Sequence, residues 1–206
     1  MTQDPYDASG FEPIEDLDRE QPPAAGVIVE QERGALPFRL IHGESLVATA
    51  AWAAGDAGID LVDASLGWDV VAERGEPLVL HDPLCPMTPP QFLRRCLQIA
   101  TETGEVVVGV RPVTDTVKEV RDGEVGATRD RDGLVALCSP VVLPPAVVES
   151  LVEAQQAGAI PADFGDLIAD LRGRGLPVRL VEAPAEARRV GSEADIAVLE
   201  AQTRGS

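Results

Sequence analysis

Two polar groups at the ends of apolar stretches could carry chemistry. His81 and Asp82 end the stretch PLVLHD (77–82), and an aspartate that follows a buried strand can hold a divalent metal that bridges phosphates. An isolated aspartate at such a position more often caps the next turn, so Asp82 alone decides nothing. A second polar terminus, RPVTDTVK, comes next along the chain, and Arg131 follows it. Asp82 therefore does not stand alone as a candidate.

The polar stretch 113–134 predicts a β-hairpin arm. VKEVR, the turn Asp122-Gly123 and EVGATRD follow the Asp-Gly hairpin pattern, and Lys118 within them is the chain's only lysine. A two-stranded arm is marginally stable alone. We therefore expect the arm, residues 114–133, to lie against a second copy of the chain and make a homodimer.

Alternating apolar runs and helical patterns must position these groups. Strands are predicted at 26–29, 59–64, 77–82, 105–113, 134–143 and 177–183, and helices at 45–54, 89–103, 145–157, 163–174 and 192–203. Ser192 and Asp195 form the pattern of a capping box at the last helix. This order predicts an α/β fold, with a mainly parallel sheet, helices on both faces and ligands at the carboxyl ends of the strands.

Composition excludes several classes of partner. The net charge of -18 argues against nucleic acid and anionic membranes, which bind basic patches. The cysteines Cys85, Cys96 and Cys138 lack CxxC spacing, so we expect buried free thiols and neither zinc nor a disulfide framework. No apolar run approaches the length of a membrane span, and the acidic start lacks a signal-peptide pattern, which predicts a cytoplasmic protein.

The chain divides into two predicted regions. Residues 1–25 are acidic and poor in apolar groups, so we expect a disordered tail. Residues 26–206 have the length of a single α/β domain that carries the arm.

Motifs from residue 78 to 201 resemble the 2-C-methyl-D-erythritol 4-phosphate cytidylyltransferase family. The family's His-Asp-Ala-Ala-Arg-Pro, Pro-Val-x-Asp-Thr-x-Lys and Arg-x-Gly-Leu are similar to HDPLCP (81–86), PVTDTVK (112–118) and RDGL (131–134). Its Thr-Asp-Glu helix start is similar to ADFGD (162–166), and its Asn-Ile-Lys-Val-Thr segment to ARRVGSEADI (187–196). Each motif is weak alone, but their common order is fairly specific.

The resemblance implies a Rossmann-like nucleotidyltransferase fold and a magnesium-dependent reaction of CTP with a sugar phosphate, within the non-mevalonate isoprenoid pathway. It also implies an arm that reaches the substrate pocket of a second subunit. By position, Asp82 would be the metal ligand, and Thr116 and Arg131, with Asp115, would bind the sugar phosphate. Arg189 would stand in the place of a catalytic lysine.

The chain departs from the family where CTP should bind. The family's first strand leads into Ala-Ala-Gly-x-Gly-x-Arg and a Pro-Lys pair, a loop that wraps the triphosphate with backbone N–H groups and bases. Here the strand leads into EQERGALPFRL, where Glu30 and Glu32 stand in the expected loop, only Gly34 remains, and Phe38 replaces the lysine. Cys85 replaces the arginine of the His-Asp motif.

Three hypotheses remain open on the sequence. The first is a divergent, catalytically impaired member, a pseudoenzyme that binds a sugar phosphate, a nucleotide or a partner protein. The second is an active CTP-dependent cytidylyltransferase with magnesium, in which Arg33 and Arg39 supply the missing bases. The third is a non-enzymatic α/β interaction protein.

Overall fold

A six-stranded sheet forms the centre of the computed structural model, which describes residues 22–63, 65, 67–153 and 161–205. The strands, in chain order, are β1 (Ala25–Ile28), β2 (Leu40–Ile41), β3 (Glu44–Ser45), β4 (Asp60–Leu61), β5 (Leu78–His81), β6 (Val106–Pro112), β7 (Val117–Arg121), β8 (Glu124–Arg129), β9 (Val135–Leu143) and β10 (Val178–Glu182). The central order is β10-β6-β9-β5-β1-β4, and β2-β3 and β7-β8 form two small hairpin sheets.

Strand β9 is the antiparallel member of the central sheet. It runs opposite to both neighbours, β6 and β5, whereas β10-β6, β1-β5 and β1-β4 pair in parallel. The chain returns from β6 to β9 directly through the hairpin, and parallel pairing would need a longer crossover. The mainly parallel sheet is confirmed, with the direction of β9 as an addition.

Helices cover both faces of the sheet. The described residues contain α1 (Leu46–Asp56), α2 (Trp68–Glu73), α3 (Pro90–Thr103), α4 (Pro145–Glu153), α5 (Phe164–Gly173) and α6 (Glu193–Gln202). The buried side chains of α2, α4 and α5 pack on one face, and those of α1 and α3 on the other. Helix α6 packs at the end of the sheet, where Val190, Ile196 and Leu199 meet Leu84.

Most predicted elements are present, with differences at short segments. Helix α2 was not predicted, because six residues are too few to show a helical period. The predicted strand 59–64 is reduced to Asp60–Leu61. The predicted end of α4 at 157 lies outside the described residues.

Small residues allow the close packing of β1. A Cβ atom added to Gly26 would lie 2.3 Å from Cγ2 of Ile59, so this position needs glycine unless Ile59 shifts. The strand begins at Ala25, which is fully buried, one residue before the predicted domain boundary. Residues 1–21 of the predicted disordered tail lie outside the described residues.

The arm is the hairpin β7-β8, as predicted. Asp122 and Gly123 have φ of 52° and 83°, the positive values that a two-residue hairpin turn uses. Lys118 Nζ donates to Thr128 Oγ1 at 2.6 Å, across the hairpin. None of the helices in the described ranges has the length and apolar character needed to cross a bilayer.

Candidate functional site

Asp82 is the fixed centre of the candidate site. Its side chain is only 4% exposed, directly after β5. The Asp82 backbone N–H donates to Ser139 Oγ at 2.7 Å, and Asp82 Oδ1 accepts from the Leu84 N–H at 2.9 Å. Because β5 pairs with β9, which carries Ser139, the sheet itself holds the carboxylate in place.

Two arginines bracket this carboxylate. Arg33 Nε lies 3.2 Å from Asp82 Oδ1, and Arg189 Nε lies 2.9 Å from Asp82 Oδ2. The Arg33 side chain is 9% exposed, whereas that of Arg189 is 42% exposed. These two ion pairs compensate the negative charge of the carboxylate, because a buried charge needs an oppositely charged partner.

Arg33 is held from three sides. Its Nη2 donates to the Ala162 carbonyl oxygen at 2.5 Å and its Nη1 to the Gln31 carbonyl oxygen at 3.4 Å. Its guanidinium carbon lies 6.0 Å from the centre of the Phe164 ring, within the range of a cation–π contact. Each nitrogen of the guanidinium group therefore has a protein acceptor.

The turn after β1 aims Arg33 inward. Val29 N–H donates to the His81 carbonyl oxygen at 2.9 Å, which keeps the chain beside β5 up to the turn. Glu32 and Gly34 then have φ of 62° and 61°, in the left-handed region, and the Arg33 N–H donates to the Glu30 carbonyl oxygen at 3.3 Å. The turn sends the side chains of Glu30 and Glu32 to solvent and that of Arg33 to Asp82.

The segment before α6 holds Arg189. Val190 N–H donates to the Leu84 carbonyl oxygen at 2.7 Å, which ties this segment to the loop after β5. Ser192 caps α6 by accepting from the Asp195 N–H at 3.2 Å, as predicted. Asp195 Oδ2 accepts from the Gly191 N–H at 3.0 Å, and this bond lowers the pKa of Asp195.

A cavity of about 300 Å³ opens beside these charges. It is lined by Arg33, Asp82, Leu137, Cys138, Asp163, Phe164, Gly165 and Arg189. The lining includes the start of α5, where Asp163 caps the helix by accepting from the Asp166 N–H at 3.0 Å. Within the described part of the chain, the two terminal nitrogens of Arg189 have no hydrogen-bond acceptor, so they are the donors that a ligand can use.

The arrangement does not fit a magnesium ion. The oxygens of Asp82 accept from Arg33, Leu84 and Arg189, and the two guanidinium groups place positive charge where a cation would sit. Magnesium needs several oxygen ligands around it. Across the described residues, no group of three or more His, Cys, Asp or Glu side chains is placed to hold a metal.

His81 is buried next to the site without a partner. Its side chain is 1% exposed, and neither ring nitrogen has a hydrogen-bond partner among the described residues. Burial lowers the pKa of His81 to about 4, an effect that outweighs the opposing charge of Asp82. The ring is therefore neutral near pH 7 and unsuited to hold an anion by charge.

The three cysteines are buried free thiols, as predicted. Cys85, which stands in the place of the family's arginine, contacts Cys138 at the cavity wall. The hydrogen bond with Cys85, and then the charges of Arg111 and Arg189, lower the pKa of Cys138. Burial raises the pKa of Cys85 well above its usual range.

The predicted ligands on the arm lie apart from the cavity within one chain. Thr116, Asp115 and Arg131 are exposed, and in the described ranges they are not among the residues that line the cavity. Arg131 Nη1 instead donates to the Thr114 carbonyl oxygen. Their predicted role in substrate binding needs an arm from a second copy and stays a prediction.

Two residues of the segment that replaces the family's CTP loop, Phe38 and Arg39, also lie apart from the cavity. Phe38 is 62% exposed in a short 3₁₀ turn, Leu36–Phe38. Arg39 forms an exposed ion pair with Glu193, at 2.8 Å. Of the two arginines in the second hypothesis, Arg33 reaches the cavity and Arg39 lies at the surface.

Sequence reasoning missed Ser139 and Phe164 as parts of the site. Phe164 lies within the stretch ADFGD (162–166) that resembles a family motif, and this was the available signal. Ser139 carries no such signal, because its role depends on the antiparallel pairing of β9 with β5.

A family model and curated relatives match this chain. The model for 2-C-methyl-D-erythritol 4-phosphate cytidylyltransferase matches residues 37–204, beginning after the turn that carries Arg33. The enzyme of that name from Bacillus licheniformis is 28% identical over 131 residues, 63% of this chain and 55% of the relative. The one from Corynebacterium diphtheriae is 26% identical over 168 residues, 82% of this chain and 64% of the relative. The chain thus spans less than two thirds of the length of these relatives.

Solved structures share the fold. The 2-C-methyl-D-erythritol 4-phosphate cytidylyltransferase of Thermus thermophilus superposes with a TM-score of 0.67 at 20% identity, covering 89% of this chain and 99% of that one. The 4-diphosphocytidyl-2C-methyl-D-erythritol synthase of Anaerococcus prevotii gives a TM-score of 0.64 at 14% identity, covering 90% and 100%. These superpositions confirm the Rossmann-like nucleotidyltransferase fold.

Proposed function

Because the chain belongs to the 2-C-methyl-D-erythritol 4-phosphate cytidylyltransferase family of non-mevalonate isoprenoid biosynthesis, we propose that it binds a sugar phosphate of that chemistry with little or no cytidylyl transfer. The observation that carries this proposal is the contact of Arg33 and Arg189 with the buried Asp82, beside a small cavity. The first hypothesis from the sequence is thereby favoured over the other two.

The cavity suits a phosphate ester. The two terminal nitrogens of Arg189 can donate to phosphate oxygens, and Asp82 holds the guanidinium group in one orientation. Phe164 and Gly165 line the cavity at the start of α5, a helix end that the carboxylate of Asp163 already caps. At about 300 Å³ the cavity is at the lower end of small-molecule sites, which favours a sugar phosphate over a nucleoside triphosphate.

The turn after β1 argues against transfer from CTP. Glu30 and Glu32 bring negative charge to the segment where the triphosphate of a relative's substrate would lie, and Phe38 offers no charge. Loss of one preorganised donor to a transition state costs about 3 kcal/mol, roughly a hundredfold in rate. The loss of several donors accounts for a chain that binds without turnover.

We further propose that the binding unit is a homodimer. In that assembly the arm of one subunit carries Thr116 and Arg131 to the cavity of the other. The proposal is supported by the exposure of both residues within a single chain. A charge-assisted bond from Arg131 to a phosphate would contribute about 2 kcal/mol to binding.

Calorimetry with 2-C-methyl-D-erythritol 4-phosphate and with CTP tests the function. We expect the sugar phosphate to bind, R189Q to weaken binding at least tenfold, and CTP with magnesium to release no pyrophosphate above background. The matched control is R179Q, because Arg179 on β10 is a similarly exposed arginine that is paired with Glu105. Turnover of CTP would support the active alternative, and absence of binding by either compound would support the interaction protein.

A further inference from the structure

The cation that lies against Asp82 in this chain differs from the one that the family resemblance implies. Enzymes of this family typically depend on a divalent metal. Here the cation against Asp82 Oδ1 is the guanidinium group of Arg33, at 3.2 Å, inside a side chain that is almost fully buried. A permanent charge from the chain itself occupies the face of the carboxylate that an ion would need.

We propose that Arg33 is a built-in cation that takes the place of a divalent metal at Asp82, so that a phosphate ester binds at this site without any metal. The ligand part rests on the proposed function, whereas the exclusion of metal rests on the contacts of Arg33 alone. Arg33 is thus a residue that determines specificity, selecting ligands that do not arrive as metal complexes.

The contacts of Arg33 explain why the replacement is stable. The guanidinium group is planar and permanently charged, and its three nitrogens are bonded to Asp82, Ala162 and Gln31. The ring of Phe164 covers its face. A metal ion entering this space would displace a buried ion pair and leave the arginine's charge without a partner, which is strongly unfavourable.

The same contacts show what the removal of Arg33 would expose. The Asp82 Oδ1 atom and the Ala162 carbonyl oxygen would both lose a donor, and both face the space that the guanidinium group occupied. Asp163, a second carboxylate, lines the same cavity. Oxygen atoms of this kind are ligands that manganese and magnesium accept. A variant that lacks the guanidinium group should therefore gain a site for a divalent cation.

Manganese titration followed by water-proton relaxation tests the inference without any phosphorylated ligand. We expect wild type and D82N to show equal manganese binding, arising from the acidic surface alone. We expect R33Q to gain a site at least tenfold tighter than that background, and R33Q/D82N to lose it. The matched control R39Q removes an exposed arginine from the same segment and should behave as wild type.

Two outcomes would overturn the inference. Manganese binding by wild type that D82N abolishes would show that the site accepts a metal beside Arg33. A folded R33Q, checked by far-UV circular dichroism, that gains no site would show that Arg33 does not stand in the metal's place. If R33Q does not fold, the comparison of wild type with D82N still decides the first point.

The ligand part has a separate readout. The affinity of wild type for 2-C-methyl-D-erythritol 4-phosphate should change less than about twofold between EDTA and millimolar magnesium, and a tenfold gain in magnesium would contradict the inference. If the sugar phosphate fails to bind in either condition, the proposed function fails, while the manganese result still decides the role of Arg33.

Discussion

The Asp82 site and the arm satisfy their charges in opposite ways. At Asp82 the carboxylate and Arg33 are buried, Arg189 is partly exposed, and all three find their partners inside one chain. On the arm, ion pairs such as Arg129 with Glu119, at 2.5 Å, are local, and Val120 and Val125 are 64% and 71% exposed. The ion pairs of the first region are complete in a single chain, whereas the exposed valines of the arm suit the contact with a second subunit that we propose.

This difference in burial decides how much the ion pairs of each region contribute to stability. A buried ion pair is strongly coupled, because removal of one member leaves a charge in a medium that solvates it poorly. An exposed pair contributes little, since water and salt screen it. Changes at Asp82 should therefore affect folding, and changes on the arm should affect assembly.

Deletion of residues 119–129 should have the largest effect, a complete change of assembly. We expect the wild-type chain to sediment as a dimer and the deletion variant as a folded monomer or an aggregate, because in the proposed dimer the arm supplies the contact between subunits. Analytical ultracentrifugation with far-UV circular dichroism measures both. A wild-type chain that sediments as a monomer at micromolar concentration would contradict the proposed role of the arm in assembly.

The substitution D82A should destabilise the folded chain by about 3 to 5 kcal/mol, because it leaves Arg33 buried without its carboxylate. Urea unfolding followed by circular dichroism measures this loss. The matched control is D60A, because Asp60 is a 67% exposed partner of Arg74. Its removal should cost at most about 1 kcal/mol. Equal losses for the two variants would contradict the assignment of Asp82 as a buried charge centre.

The titration of His81 should make the free energy of unfolding depend on pH, with a somewhat smaller effect than that of D82A. Its pKa is lowered to about 4 in the folded chain from 6.5, so between these values the unfolded chain binds more protons. The free energy of unfolding is therefore highest above pH 6.5, where His81 is neutral in both states. It decreases by about 3 kcal/mol as the pH falls toward 4. Urea unfolding at pH 7 and pH 4.5 should show a smaller decrease for H81L than for wild type. Parallel decreases would show that the ring titrates normally.

The sequence predicted the scaffold well because its signals are local. Alternating apolar runs and helical periods placed the strands and five helices, and Asp122-Gly123 placed the hairpin turn. The short α2 was beyond such signals, because a six-residue helix shows no period. The position of β9 between β6 and β5 was also beyond them, because it depends on pairing between distant segments.

The site was predictable only in part, for a similar reason. Asp82 and Arg189 were identified through the family resemblance, and the structure brings them together at 2.9 Å. Arg33 was considered only as a substitute base. Its capture by Asp82 depends on the left-handed turn at Glu32 and on a carbonyl oxygen at Ala162, far along the chain. Contacts between such distant segments leave no local pattern to read.

The position of Lys118 has a practical consequence for chemical labelling. Of the 17 lysine and arginine residues, it is the only lysine, and it lies on β7 with its amine bonded to Thr128. Apart from the terminal amine, an amine-reactive dye or cross-linker can therefore attach to one place in the chain, the arm. A single fluorophore there would report on the arm's surroundings without any engineered residue.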